Sequence, residues 1–207
     1  MQRFILHGNI DRFERQLRET ADPAARNTLT YLLTDARRQL SLVESARFGG
    51  HAESPSSRAA ADHAGGPDEA HQIFRDTFED SGHPYLIIDP GPGLLIVDAN
   101  PAYCAATMTG RVDIAGKPLF EVFPDNPDDG MADGVTNLYQ SIRIVTDTLA
   151  PHAMAVQRYD IRDGDGNFVE RHWQPVNSPL FDENGALKFI LHHVEDVTAA
   201  ATRAKSA

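Results

Sequence analysis

Helical periods of three and four fill the first quarter of this chain, and short alternating runs dominate the rest. Ile10, Phe13 and Leu17 fall on one helical stripe, with Asn9 placed to cap it. Asp22-Pro23 then supplies an N-cap followed by a proline at the first helical position. After it, Leu29, Leu33, Ala36, Leu40 and Val43 step by 4, 3, 4 and 3. This seam predicts an antiparallel helical hairpin over residues 1–48, with self-association through the same seam as its second use. Gly49 to Pro67 is small, polar and broken by glycine and proline, so residues 49–69 are expected to be a flexible linker. Helical spacing returns at Ala70, Ile73, Phe74, Thr77 and Phe78, and the helix these predict runs directly into a strand.

Beyond it the pattern is that of an α+β domain over residues 70–198. Tyr85 to Asp89 and Leu94 to Asp98 read as strands around a turn at Pro90 to Gly93. Asn100-Pro101 stops the second strand and opens a helix through Met108. Irregular helical pieces reach Phe123, and the acidic loop Asp125 to Asp133 precedes a long helix to about Asp147. Met154 to Ile161 is a third strand with its turn at Asp163 to Asn167. The last two strands form a hairpin about Asp182-Glu183-Asn184-Gly185, Asn-Gly being a strong hairpin signal. With the turn there, facing residues have numbers that sum to an odd value, which sorts the side chains into two sets. One set is His172, Gln174, Val176, Leu180, Leu187, Phe189, Leu191, His193 and Glu195, with His172 expected near Glu195. The other is Arg171, Trp173, Pro175, Asn177, Ile190, His192 and Val194. Both carry large apolar groups, so both faces need cover. The expected architecture is a five-stranded antiparallel sheet with helices inserted between strands 2 and 3, preceded by an α-helical hairpin. Residues 199–207 are a short tail.

Composition narrows the function. A net charge of −11 over 207 residues argues against a nucleic-acid surface, which needs clustered positive charge. One cysteine, Cys104, leaves no internal disulfide and fits a reducing compartment. No apolar run is long enough to span a bilayer and the N-terminus lacks a signal-peptide core, so the expected location is cytoplasmic, without membrane insertion.

Candidate chemistry is sparse. Asp163-Gly164-Asp165-Gly166-Asn167 has the start of a calcium loop, but Phe168 stands where that loop needs glycine and Gln174 where it needs glutamate. A hairpin turn accounts for it better. Asp125, Asp128, Asp129 and Asp133 read as a solvated loop whose charge favours the next helix N-terminus. His192 and His193 are strand neighbours and point to opposite faces, so they cannot chelate one ion together. No metal site is expected. No nucleophile–base motif or phosphate-binding glycine loop occurs. His71-Gln72 has the look of a phosphoacceptor, yet no ATP-binding kinase region follows. The chain is not expected to be an enzyme.

Several phrases in order resemble the PAS domain family: Asp98-Ala99-Asn100-Pro101-Ala102, Gly110 with Ile114 to Phe123, Asp165-Gly166-Asn167, and Glu195-Asp196-Val197-Thr198. The resemblance covers roughly residues 70 to 198. The preceding hairpin lies outside it and is similar to short helical segments on small bacterial regulators. The family implies a sensor or interaction module with a pocket between sheet and helices, usually a homodimer. Its haem-binding members place a histidine on the long helix, where this chain has none, His152 lying just beyond. Its flavin photosensors carry a reactive cysteine within a phrase that is here Gly116 to Phe120, and Cys104 sits too early. No cofactor is therefore expected, though an unknown small ligand fits the family. The resemblance turns the Trp173 face inward and makes Asn100, Tyr159, Arg171, Trp173, Asn177, Ile190, His192 and Val194 the pocket candidates. The opposite face gives Ile73, Phe74, Phe78, Val176, Leu187, Phe189 and Leu191 as a helix-packing or dimer surface.

The expected function is non-enzymatic signalling through protein contacts, with histidine kinases or response regulators of a bacterial two-component pathway as partners. The alternative is a redox or gas sensor dependent on haem or flavin. Because only Ala199 to Ala207 follow the closing Asp196-Val197-Thr198, no effector is expected to be driven from that end. The N-terminal hairpin is expected to act as a tethered second contact for the partner.

Overall fold

The computed structural model describes residues 1–49 and 69–205. The expected linker, apart from its two end residues, lies outside the described residues. Helix α1 runs over Gln2–Glu19 and α2 over Pro23–Ser45. The first begins seven residues before Asn9, which is mid-helix rather than a cap. The reason is Leu6, which is buried and extends the stripe of Ile10, Phe13 and Leu17 one turn back. Asp22 does cap α2, its carboxylate accepting from Ala25 N at 3.0 Å. Arg26 fastens the turn by donating to the carbonyls of Leu17 and Thr20 at 2.7 and 3.0 Å. Phe13, Leu33 and Ala36, flanked by Ile10, Leu17 and Leu29, fill the space between the helices.

Helix α3 (Glu69–Phe78) leads into β1 (Tyr85–Ile88) and β2 (Ile96–Ala99). Then follow α4 (Pro101–Thr107), α5 (Arg111–Ile114), α6 (Leu119–Val122) and the long α7 (Gly134–Thr148). Short β3 (His152–Ala153), β4 (Gln157–Arg158), β5 (Ile161–Arg162) and β6 (Phe168–Val169) precede β7 (His172–Phe181) and β8 (Leu187–Asp196), and α8 (Thr198–Lys205) closes the described chain.

The sheet is antiparallel in the order β2-β1-β8-β7-β3, with β4 also paired to β7. The five strand positions are those expected, but the third is broken. Met154 N still donates to Pro175 O at 2.9 Å, whereas Pro175 has no N–H to return, so the ladder is interrupted there. Ile161 and Arg162 then leave the sheet to pair with Val169 and Phe168 in a separate ribbon. Its turn is held by Asp163, whose carboxylate accepts from Asp165 N and Asn167 N, as in a hairpin turn.

Trp173 faces Asp196 and Leu180 faces Phe189, the odd-sum register, with a bulge only at Phe181. Gly185 sits at φ 79° in the turn, a conformation only glycine adopts without cost. Gln174, not His172, is opposite Glu195, because the register sum of the hairpin places His172 two residues further on. Helices α4 to α7 cover the inner face, where Leu86, Ile88, Ile96, Leu119, Ile142, Trp173, Ile190 and Val194 form the main core. On the outer face α3 lays Phe74 and Phe78 over Ile87, Phe189, Leu180 and Leu191. A bulge between Ile87 and Ile88 leaves both Val97 and Asp98 on this outer side. The buried Asp98 carboxylate takes His71 Nε2 at 2.7 Å, Arg75 Nε at 2.9 Å and Arg111 Nε at 2.5 Å. Burial pushes its pKa up, but the bonds from Arg111, His71 and Ala99 N outweigh that and hold it below the usual carboxylate range. The carboxylate thereby locks α3 onto the sheet, and His71 belongs to that lock.

The N-terminal hairpin is not merely tethered: it packs on α7. Ser45 O accepts from Gly93 N at 2.8 Å, and Phe48 meets Tyr139 edge-on at 5.8 Å. Tyr139 Oη donates to Glu44 at 3.3 Å, and Arg38 Nε lies 3.7 Å from the buried Asp125 carboxylate.

Candidate functional site

Between the inner face of the sheet and α4, α6 and α7 lies a cavity of about 40 Å³. Tyr103, Thr107, Phe123, Leu138, Met154, Gln157, Tyr159, Trp173, His192 and Val194 line it. Trp173 is fixed by its indole N–H, which donates to Tyr159 O at 2.8 Å. The Tyr159 hydroxyl donates to Phe123 O, and its ring lies so close over α7 that only glycine fits at position 134. Burial pushes the phenols of Tyr103 and Tyr159 well above their ordinary range, so both stay neutral.

His192 is the polar centre of this wall. Its Nδ1 is 2.7 Å from Asn177 Oδ1, an acceptor, so Nδ1 carries the proton and Nε2 is left as the ring's acceptor. Asn177 Nδ2 donates to Ser141 Oγ at 2.7 Å, and Ser141 in turn contacts His152 Nδ1 at 2.8 Å. A directed line of hydrogen bonds thus runs from the cavity through α7 to His152. Burial, with His193 adjacent, pulls the His192 pKa down to about 3, so the ring is neutral near pH 7. The lining residues include no carboxylate, lysine, arginine or cysteine. The cavity suits a small uncharged apolar guest or ordered water.

Of the pocket candidates, Tyr159, Trp173, His192 and Val194 line the cavity. Asn177 supports it from behind through His192, and Ile190 is fully buried in the core. Arg171 points away to Asp196 at 3.4 Å. Asn100 holds the backbone instead: its carbonyl accepts from Tyr85 N and Tyr103 N, and its amide donates to the carbonyls of Phe78 and His83. Tyr103 and Thr107 were legible as one face of the helix after Asn100, whereas Met154 and Gln157 lie in the broken strand and carry no periodic signal.

On the outer face Phe74 and Phe189 are buried within the chain, Phe78, Val176, Leu187 and Leu191 are half-buried, and Ile73 is 56% exposed. At the edge of that face His83, His193 and Glu195 come together. No sequence pattern announced this cluster, because His83 belongs to the loop before β1, which pairs with β8 only in the fold. The acidic loop is partly structural. Asp125 accepts from Val135 N at 3.0 Å at the start of α7, and Asp129 pairs with Arg158 at 3.1 Å. Among the described residues no helix is long and apolar enough to cross a membrane.

No curated protein matches the chain. Similar solved structures include an RNA-binding light-oxygen-voltage receptor at 18% identity and TM-score 0.46, over 64% of this chain and 34% of that one. The chain thus spans about a third of that receptor's length. A Rhodobacter sphaeroides LOV protein is similar at 15% identity and TM-score 0.48, with 63% and 69% covered. The PAS domain of a protein from Colwellia psychrerythraea is similar at 14% identity and TM-score 0.47, with 62% and 97% covered. A family model described as PAS fold matches residues 78–202, which is more than half of the chain. That match takes in the whole sheet, the inserted helices and the aromatic cavity, and the chain belongs to the PAS-fold family.

Proposed function

We propose that this PAS domain and its docked hairpin form a non-enzymatic signalling module that acts by contact with partner proteins, including a second copy of itself. The observation that carries this is the cavity. Its volume is about 40 Å³, whereas pockets for organic ligands run to roughly 300 Å³ or more. A cavity of this volume is too small for a flavin or a haem. Cys104 does not line the cavity, and burial raises its thiol pKa. His152, the histidine nearest the long helix, is engaged with Ser141. The neutral lining also supports a contact role over a catalytic one. Histidine kinases or response regulators of a cytoplasmic two-component pathway are the partner class that family analogy favours.

The test is one experiment. Purified protein is mixed with flavin nucleotide or haemin, separated by gel filtration with light scattering, and its absorbance spectrum recorded. The expected result is a dimer with no retained visible chromophore. A chromophore retained at one per chain overturns the contact reading in favour of the cofactor-dependent sensor, and a monomer removes self-association.

A further inference from the structure

We propose that His83, His193 and Glu195 form a binding site for one divalent transition-metal ion of the zinc type, at the outer edge of the sheet. The three donor atoms lie within 4.8 Å of one another. Glu195 Oε1 is 3.5 Å from His83 Nδ1 and 3.6 Å from His193 Nε2. A tetrahedral ion with bonds of about 2.1 Å holds its donors about 3.4 Å apart. The two gaps to Glu195 are close to that spacing, and the third is within 4.8 Å.

The second observation is the state of the His193 ring. Its Nδ1 lies 2.9 Å from Pro84 O. A carbonyl only accepts, so Nδ1 carries the proton and Nε2 offers its lone pair on the side of Glu195. This is the support that metal-bound histidines use to fix tautomer and ring orientation. Tyr85 stacks on the same ring at 4.7 Å and restricts its rotation. His193 and Glu195 are two residues apart on β8, so the strand itself sets them on one face. His83 and Glu195 are exposed, which gives an ion its way in.

Two imidazoles and a carboxylate match the ligand types of open zinc sites, with at least one position left for water or a partner's side chain. The net charge of −11 favours cation approach. The contact of His71 with the buried Asp98 carboxylate is unsuited, since Arg75 and Arg111 share that carboxylate and repel a cation. A bound ion would fasten the loop before β1 to the end of β8, next to the point where α8 begins.

The test is equilibrium titration of the chelator-stripped full chain with zinc chloride, repeated with cobalt(II) as an optical probe. One ion per chain is expected, with cobalt bands of a low-coordinate nitrogen–oxygen site. His83→Gln and Glu195→Gln change exposed side chains, and each is expected to keep the fold by thermal melt. Each is expected to weaken binding by about tenfold or more, at least what loss of a supporting partner costs. Unchanged affinity and stoichiometry in both variants would place any zinc on other histidines and overturn the proposal, as would no uptake by the parent chain.

Discussion

His192 is a single ring whose surroundings fix its charge and thereby tie the whole fold to pH. Its pKa in the folded chain is about 3, against about 6.5 in an unfolded chain. As pH falls below about 6.5 the unfolded chain gains a proton that the folded chain refuses, so stability falls. The contribution is complete above about 6.5 and is lost progressively down to about 3, with a slope on the order of 1 kcal/mol per pH unit. Asp98 and Asp160, whose pKa values are lowered, add to the same loss only at more acid pH. Replacing His192 by glutamine keeps a donor for Asn177 and removes the titration. Denaturant melts at several pH values between about 7.5 and 5 are expected to show a flatter dependence in His192→Gln than in the parent. Equal slopes would assign the effect to another group.

At the scale of elements, the junction of α3, β1, β2 and α4 hangs on Asn100. The side chain is fully buried and makes bonds in both directions, accepting from two backbone amides and donating to the carbonyls of Phe78 and His83. Asn100→Asp keeps the shape and the cap but has no N–H to donate, so it faces two carbonyls with a carboxylate. Asn100→Ala loses the cap of α4 and leaves buried backbone groups unpaired. Each is expected to cost about 2–4 kcal/mol. The measurement is the denaturant midpoint, and a loss under about 0.5 kcal/mol in both variants would contradict the junction's role.

For the whole molecule, the question is whether the N-terminal hairpin is an appendage or part of the body. Its packing on α7 covers Tyr139 and closes over Asp125, whose Oδ2 makes no hydrogen bond but lies near Arg38. Burial pushes the Asp125 pKa up, which Val135 N and Arg38 only partly offset. Removing residues 1–48 exposes this surface and deletes the Ser45 carbonyl that Gly93 N uses. The truncated chain is expected to fold but to melt lower by roughly 5 °C or more, the equivalent of about 2 kcal/mol in a domain of this size. An unchanged melting temperature would return the hairpin to the role of a tether.

What the sequence determined by itself are the features written in local periodicity and turn chemistry. The Asp22 cap, the Asn184-Gly185 hairpin and its odd-sum register, the α3 stripe of Phe74 and Phe78, and the helix opened by Asn100-Pro101 all follow from neighbours a few residues apart. The choice of inner face for Trp173 and His192 came from the family resemblance together with that register. Only the tertiary structure decided the rest. Pro175 breaks a strand that alternation alone would continue, because the missing N–H matters only when a neighbour strand asks for it. Asn100 and Arg171 leave the pocket because partners distant in sequence, Phe78 and His83 for one and Asp196 for the other, claim them first. The docking of the hairpin on α7 and the meeting of His83 with His193 and Glu195 join residues about a hundred positions apart. Such contacts depend on how layers pack, and periodicity within any one element carries no record of them.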